Sequence, residues 1–102
     1  MSNDIMTNKI EIIKKLEKEK EKIRQSGVKK IGLFGSFVKG KQNKNSDIDL
    51  LVSFEHEDYG DQYFELLFYL KKIFNRKIDL IPEECLRKEL LYVKKETEYA
   101  RL

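Results

Sequence analysis

A glycine–serine pair, Gly35-Ser36, stands ten residues ahead of the pair of carboxylates in Asp47-Ile48-Asp49. Glycine lets an anion approach the backbone closely, and serine adds a hydroxyl where a helix can begin, so this pair suits a phosphate. The two aspartates suit Mg²⁺, a hard cation that typically takes one or two carboxylates together with substrate phosphates. Lys39 and Lys41 lie between the halves and could neutralise phosphate charge, and Gly40 would let the chain turn again. A third carboxylate, Asp79, sits in Lys77-Ile-Asp-Leu-Ile81. Three carboxylates on one side of a sheet could hold two metal ions, the arrangement that stabilises the attacking and leaving oxygens of phosphoryl or nucleotidyl transfer.

The surrounding pattern shows how these residues would be positioned. From Asp47 to Phe54 the residues alternate as a half-buried strand requires. Ile48, Leu50, Val52 and Phe54 share one face, and Asp47, Asp49, Leu51 and Ser53 share the other. The two aspartates then project to the same side, with attachment points about 7 Å apart. Val28 to Phe34 reads as an earlier short strand, after which Ser36 is expected to cap a helical turn reaching about Lys39. Gln42 to Ser46 reads as a polar loop. Lys77 to Ile81 reads as a third strand, with Asp79 opposite Ile78 and Leu80 and with Pro82 as its stop. If it pairs beside the second strand, Asp79 joins the other two carboxylates.

Helices are expected between the strands. Residues 3–25 repeat apolar side chains at Met6, Ile10, Ile13, Leu16 and Ile23, with Asn3 or Asp4 as the cap and Ser26-Gly27 as the end. The charged run Lys14–Lys22 has the mixed signs of a solvated helix face. Asp61 to Phe74 carries the stripe Tyr63, Leu66, Leu67, Leu70 and Phe74. Residues 83–102 show Leu86, Leu90, Val93, Thr97 and Ala100 at alternating spacings of four and three, which predicts a final helix. The expected order is α-β-α-β-α-β-α, a small α/β architecture in one domain spanning residues 1–102.

Composition narrows the chemistry further. The chain has 102 residues, 40% of them hydrophobic and 38% charged, which describes a globular domain with a heavily solvated surface. A core of this size is modest, and association with a partner would help it. No apolar run approaches the roughly 20 residues of a membrane span. The net charge of +3 is mild and dispersed, the densest cluster near the motif being Lys39, Lys41 and Lys44. DNA or RNA is therefore not the expected direct target. One cysteine, Cys85, cannot make an internal disulfide and points to a reduced, cytoplasmic setting. The single histidine, His56, falls in a predicted loop and reads as solvated surface, and Cys85 reads as a small semi-buried residue. Without a Cys/His cluster a zinc site is excluded, and no Gly-Lys-Ser/Thr follows the glycines as a Walker A loop requires.

The run Gly35-Ser36, ten residues, Asp47-Ile48-Asp49, with a later strand aspartate at Asp79, resembles the nucleotidyltransferase superfamily that includes DNA polymerase beta. The short length makes the chain similar to the minimal nucleotidyltransferases (MNT), which are commonly antitoxins of HEPN/MNT toxin–antitoxin modules. That resemblance implies a small mixed three-stranded sheet flanked by about four helices. It implies that Gly35 and Ser36 hold the triphosphate of ATP, that Asp47 and Asp49 bind catalytic Mg²⁺, with two ions in all, and that Asp79 completes the metal site and helps activate the attacking hydroxyl. It further implies a HEPN RNase toxin as partner in a hetero-oligomer, with a toxin tyrosine as acceptor of AMP. Lys39 stands where the family usually carries an arginine and lacks the bidentate fork. Two other functions remain open: an antitoxin that acts by binding alone, and nucleotidyl transfer to a small molecule. Tyr92 and Tyr99 could belong to a partner surface or to packing.

Overall fold

The computed structural model describes residues 8–43 and 45–102. Helix α1 (Lys9–Lys18) starts at Asn8, whose side chain accepts a hydrogen bond from the Glu11 amide at 2.9 Å. The expected caps Asn3 and Asp4 lie outside the described residues, as does Met6. The expected single helix is divided at Glu19, and α2 (Lys20–Gln25) follows. Ile12, Leu16 and Ile23 form the buried stripe, whereas Ile10 is 59% exposed. The helical period explains the difference: Ile12 and Leu16 stand one turn apart on one face, and Ile10 is on another.

Strands β1 (Val28–Phe34), β2 (Ile48–Phe54), β3 (Ile78–Pro82) and β4 (Glu98–Tyr99) form a sheet in the order β3-β2-β1-β4. β2 and β3 are parallel, and the other pairs are antiparallel, so the sheet is mixed. The long helix α4 (Gly60–Phe74) supplies the crossover that a parallel pair needs. Its buried residues Leu66, Leu70 and Phe74 meet Ile48, Leu50, Val52, Ile78 and Leu80 in one apolar cluster with Ile12, Leu16 and Ile23. One face of the sheet is thus committed to the core, and the aspartates emerge on the other.

The chain after β3 departs from the expected helix. It forms two 3-10 turns (Glu83–Cys85 and Lys88–Leu90), a short helix α5 (Tyr92–Glu96), and then β4, which raises the strand count from three to four. The cause lies in β1. Gly32 has no side chain, and a Cβ there would stand 2.5 Å from the Thr97 methyl, 2.9 Å from the Tyr99 ring and 3.0 Å from the Glu98 carbonyl. The C-terminal chain can therefore lie flat against the sheet, pairing Gly32 with Tyr99 and burying Thr97. Thr97 and Tyr99 also favour extended backbone. Glu83 holds this segment from the side: it accepts the Tyr99 hydroxyl at 2.7 Å and lies 3.4 Å from Lys30 and 3.8 Å from Lys94.

Substituting Gly32→Ala is expected to destabilise the protein by about 1–3 kcal/mol, because the added methyl overpacks a close backbone approach. Urea denaturation measures the loss. Hydrogen exchange should show the increase in opening concentrated at residues 97–100.

Candidate active site

The glycine–serine turn is built from two glycines around one turn of helix. Gly35 has φ 78° and ψ −147°, a conformation that is essentially glycine-only. A Cβ on Gly35 would also collide with the Asp49 carboxylate, so the aspartate packs directly onto the bare glycine. Helix α3 (Ser36–Lys39) follows, and Gly40 ends it in the left-handed conformation at φ 71°. Ser36 is the first helical residue and its side chain makes no capping bond. The residue before the helix is Gly35, whose carbonyl accepts from the Val38 and Lys39 amides at 3.1 Å each. The expected role of Ser36 as cap is corrected accordingly. Phe37 is buried beneath the turn and anchors it to the core.

The loop into β2 is held by Arg76, a residue the sequence pattern did not single out. Its guanidinium donates to the carbonyls of Ser46 at 3.0 Å and Asn43 at 2.9 Å, and packs over the Phe37 ring. Asn43 and Ser46 brace each other within the loop. Lys44 lies outside the described residues. Arg76 thus connects the loop that leads into Asp47 to the helix of the glycine turn. A lone arginine before a strand carries no sequence signal for that task.

Sheet register brings the carboxylates together. Asp49 on β2 pairs with Phe34 on β1 on one side and with Asp79 on β3 on the other. Asp79 is therefore a direct neighbour of Asp49 across a parallel pair, where strands run about 4.8 Å apart. Asp47 is exposed just before β2, Asp49 is half-buried, and Asp79 is exposed on the edge strand. Burial, followed by the charges of Asp79 and Asp47, pushes the Asp49 carboxyl up to about 6. Tyr63 straps the edge strand by donating to the Leu80 carbonyl at 2.7 Å.

Among the described residues, no three carboxylate, imidazole or thiol groups converge as a preformed metal cage. The donor set is all carboxylate oxygen, and Asp49, raised first by burial and then by the charges of Asp79 and Asp47, would be held ionised by a bound cation. Both properties fit Mg²⁺, which completes its shell with water and phosphate oxygens. Lys39 is turned to the C-terminal segment, with its ammonium 3.9 Å from Glu96 on α5, both groups about half exposed. Lys41 is exposed, and its amide donates to the Ser36 carbonyl at 2.9 Å. His56 is exposed, as expected, but Cys85 is also exposed rather than semi-buried. Tyr99 is half-buried and committed to Glu83, whereas Tyr92 is exposed at the start of α5.

A mixed sheet with a glycine–serine turn packed on an Asp-x-Asp strand, and a third aspartate in register beside it, defines a nucleotidyltransferase fold. The nucleotidyltransferase domain family matches residues 8–102, and the chain belongs to that family. It is 42% identical over 87 residues to a Methanocaldococcus jannaschii protein provisionally named a protein adenylyltransferase, covering 83% of this chain and 80% of that one. Protein adenylyltransferase MntA of Thermococcus cleftensis is 36% identical over 69 residues, covering 68% and 70%. Among solved structures, one provisionally described as a minimal nucleotidyltransferase superposes with a TM-score of 0.70 at 25% identity, covering 84% of this chain and 93% of its own. The fold also matches, at a TM-score of 0.60 and 20% identity, a chain from the complex of a tri-AMPylated Shewanella oneidensis HEPN toxin with its MNT antitoxin, covering 85% and 70%.

The raised Asp49 has a consequence for stability. Its folded pKa lies above the ordinary carboxylate value, so the folded state binds the proton more tightly than the unfolded chain does. Stability should therefore fall as pH rises from about 4 to about 6 in metal-free solution. Asp49→Asn should flatten that slope and raise the thermal midpoint at neutral pH, as read by thermal melts across the range.

Proposed function

We propose that this chain is an antitoxin-type protein adenylyltransferase that transfers AMP from ATP to a tyrosine of a cognate HEPN RNase toxin and thereby inactivates it. The observation that carries the reading is the juxtaposition of Asp49 with Gly35 on one side and with Asp79 on the other. Gly35 and Ser36 would receive the triphosphate at the backbone N–H groups and hydroxyl of the turn, Asp49 having taken the space beside the Gly35 Cα. Lys41, and Lys39 once released from Glu96, would neutralise its charge. Asp47, Asp49 and Asp79 would hold two Mg²⁺ ions. When bound, these supply electrostatic stabilisation of the charge that develops on the phosphate oxygens.

The rest follows from where the carboxylates stand. Asp79, exposed on the edge strand, would be open to an incoming acceptor and would take the phenol proton. The phenolic oxygen forms a bond to the α-phosphorus, the bond between the α-phosphorus and the bridging oxygen breaks, and pyrophosphate departs. Asp49, half-buried and pressed on Gly35, fixes the distance between the triphosphate and the carboxylates. The partner is a protein, held in a hetero-oligomer. The setting we assign is the cytoplasm, which suits a lone exposed thiol. No described helix is long and apolar enough to cross a membrane.

Incubation of the protein with Mg²⁺, ATP and the toxin partner, followed by intact mass measurement of the toxin, tests this. An adenylyl adduct should form, and Asp47→Asn should slow its formation by roughly a hundredfold or more. Full neutralisation of the toxin by Asp47→Asn, with no adduct from the unmodified protein, would instead establish an antitoxin that acts by binding.

A further inference from the structure

The outward face of α4 has no use in the site and an order of side chains that is hard to explain on a solvated surface. Asp61, Phe64, Glu65, Phe68, Lys71 and Lys72 are all exposed along it. Phe64 is 57% and Phe68 65% exposed, and at a spacing of four they stand one turn apart on the same stripe. Two exposed phenylalanines on one stripe mark an interaction surface rather than scattered apolar exposure. Asp61 lies in the first turn and Glu65 in the second, whereas Lys71 and Lys72 lie in the last.

That charge order selects the occupant. A surface of one sign is repelled by one end of the helix, and so is a helix laid parallel to it. The matching surface must read base to acid where α4 reads acid to base, and α4 itself turned end for end does so. The residue numbers make the match symmetric about position 66: Phe64 falls opposite Phe68 of the second copy, and Asp61 falls opposite its Lys71, each contact occurring twice. A two-fold interface requires this kind of self-complementarity. The opposed helix dipoles also favour it. Beside Phe64, a shallow open depression between Tyr59, Tyr63 and Pro82 offers an apolar surface for the second copy's Phe68 ring.

We infer that the chain self-associates as a two-fold dimer through antiparallel packing of α4, with Phe64 against Phe68 and Asp61 against Lys71 across the axis. The interface lies on the helical side of the sheet, opposite the aspartates, so both sites of the dimer stay open. The inference stands on the exposure and charge order of α4 and is independent of the adenylylation reading.

Sedimentation equilibrium of the purified chain tests it. The unmodified protein should show a concentration-dependent dimer. Asp61→Lys alone and Lys71→Asp alone should each weaken association by about tenfold, through two like-charge contacts. The double variant, Asp61→Lys with Lys71→Asp, should restore it, since the reversed pairs are again complementary. Circular dichroism confirms that each variant is folded. For the register, Phe64→Cys and Phe68→Cys are made separately, each with Cys85→Ser. A mixture of the two should form a disulfide-linked dimer on oxidation far faster than either alone. A single-chain mass at about 1 mM would overturn the inference. So would a double variant no better than the single ones, or equal cross-linking of mixed and unmixed samples. Capture of α4 by the toxin, with the free chain monomeric, would also overturn it.

Discussion

The contact between the Asp49 carboxylate and the bare Cα of Gly35 is the constraint on which the active end of this molecule depends. A side chain at position 35 would occupy the place of the carboxylate, and the backbone there adopts a conformation open to glycine alone. The turn between β1 and α3 is thereby fixed against β2, and with it the position of Ser36 relative to the carboxylates. β2 carries the consequence outward, because its parallel register sets Asp79 beside Asp49. Burying a carboxylate at this sheet end opposes folding, and the charges of Asp79 and Asp47 add to the cost; the raised Asp49 carboxyl reflects both, burial first. Stability must come from elsewhere, and the apolar cluster on the opposite face supplies it.

The two faces of the sheet therefore have different work. One is sealed by α1, α2 and α4, with Leu50, Val52 and Leu80 beneath them. The other is covered only in part, by the chain after β3. Leu51, on the side of Asp49, is fully buried, while Asp47 and Asp79 stay exposed. The cover is held by Glu83, which gathers Tyr99, Lys30 and Lys94. It reaches the glycine turn through the Glu96–Lys39 pair, an exposed contact that costs little to break. A lysine held so loosely can exchange a carboxylate for a phosphate. The C-terminal segment thus borders the site without closing it, which suits a reaction whose second substrate is a macromolecule.

The sequence by itself determined the strand parity of the candidate residues. Gly35, Ser36, Asp47, Asp49 and Asp79 stand out by type and spacing, since glycine, aspartate and strand alternation act locally. The strands around them follow from the same alternation, and α4 from its apolar stripe. Where local pattern misled, the deciding contact was distant. The three-and-four spacing of Leu86 to Ala100 fits a helix, yet the chain lies extended after Glu96 because Gly32, some 65 residues earlier, leaves room for Thr97 and Tyr99. Only tertiary structure could decide that, as it decided that Arg76 braces the loop before Asp47 and that Lys39 meets Glu96. It also decided that β3 lies parallel beside β2, which turned a possible third carboxylate into a neighbour. A periodic pattern specifies which face of an element is apolar. Which element covers that face depends on close approaches between residues far apart in the chain, and those carry no periodic signal.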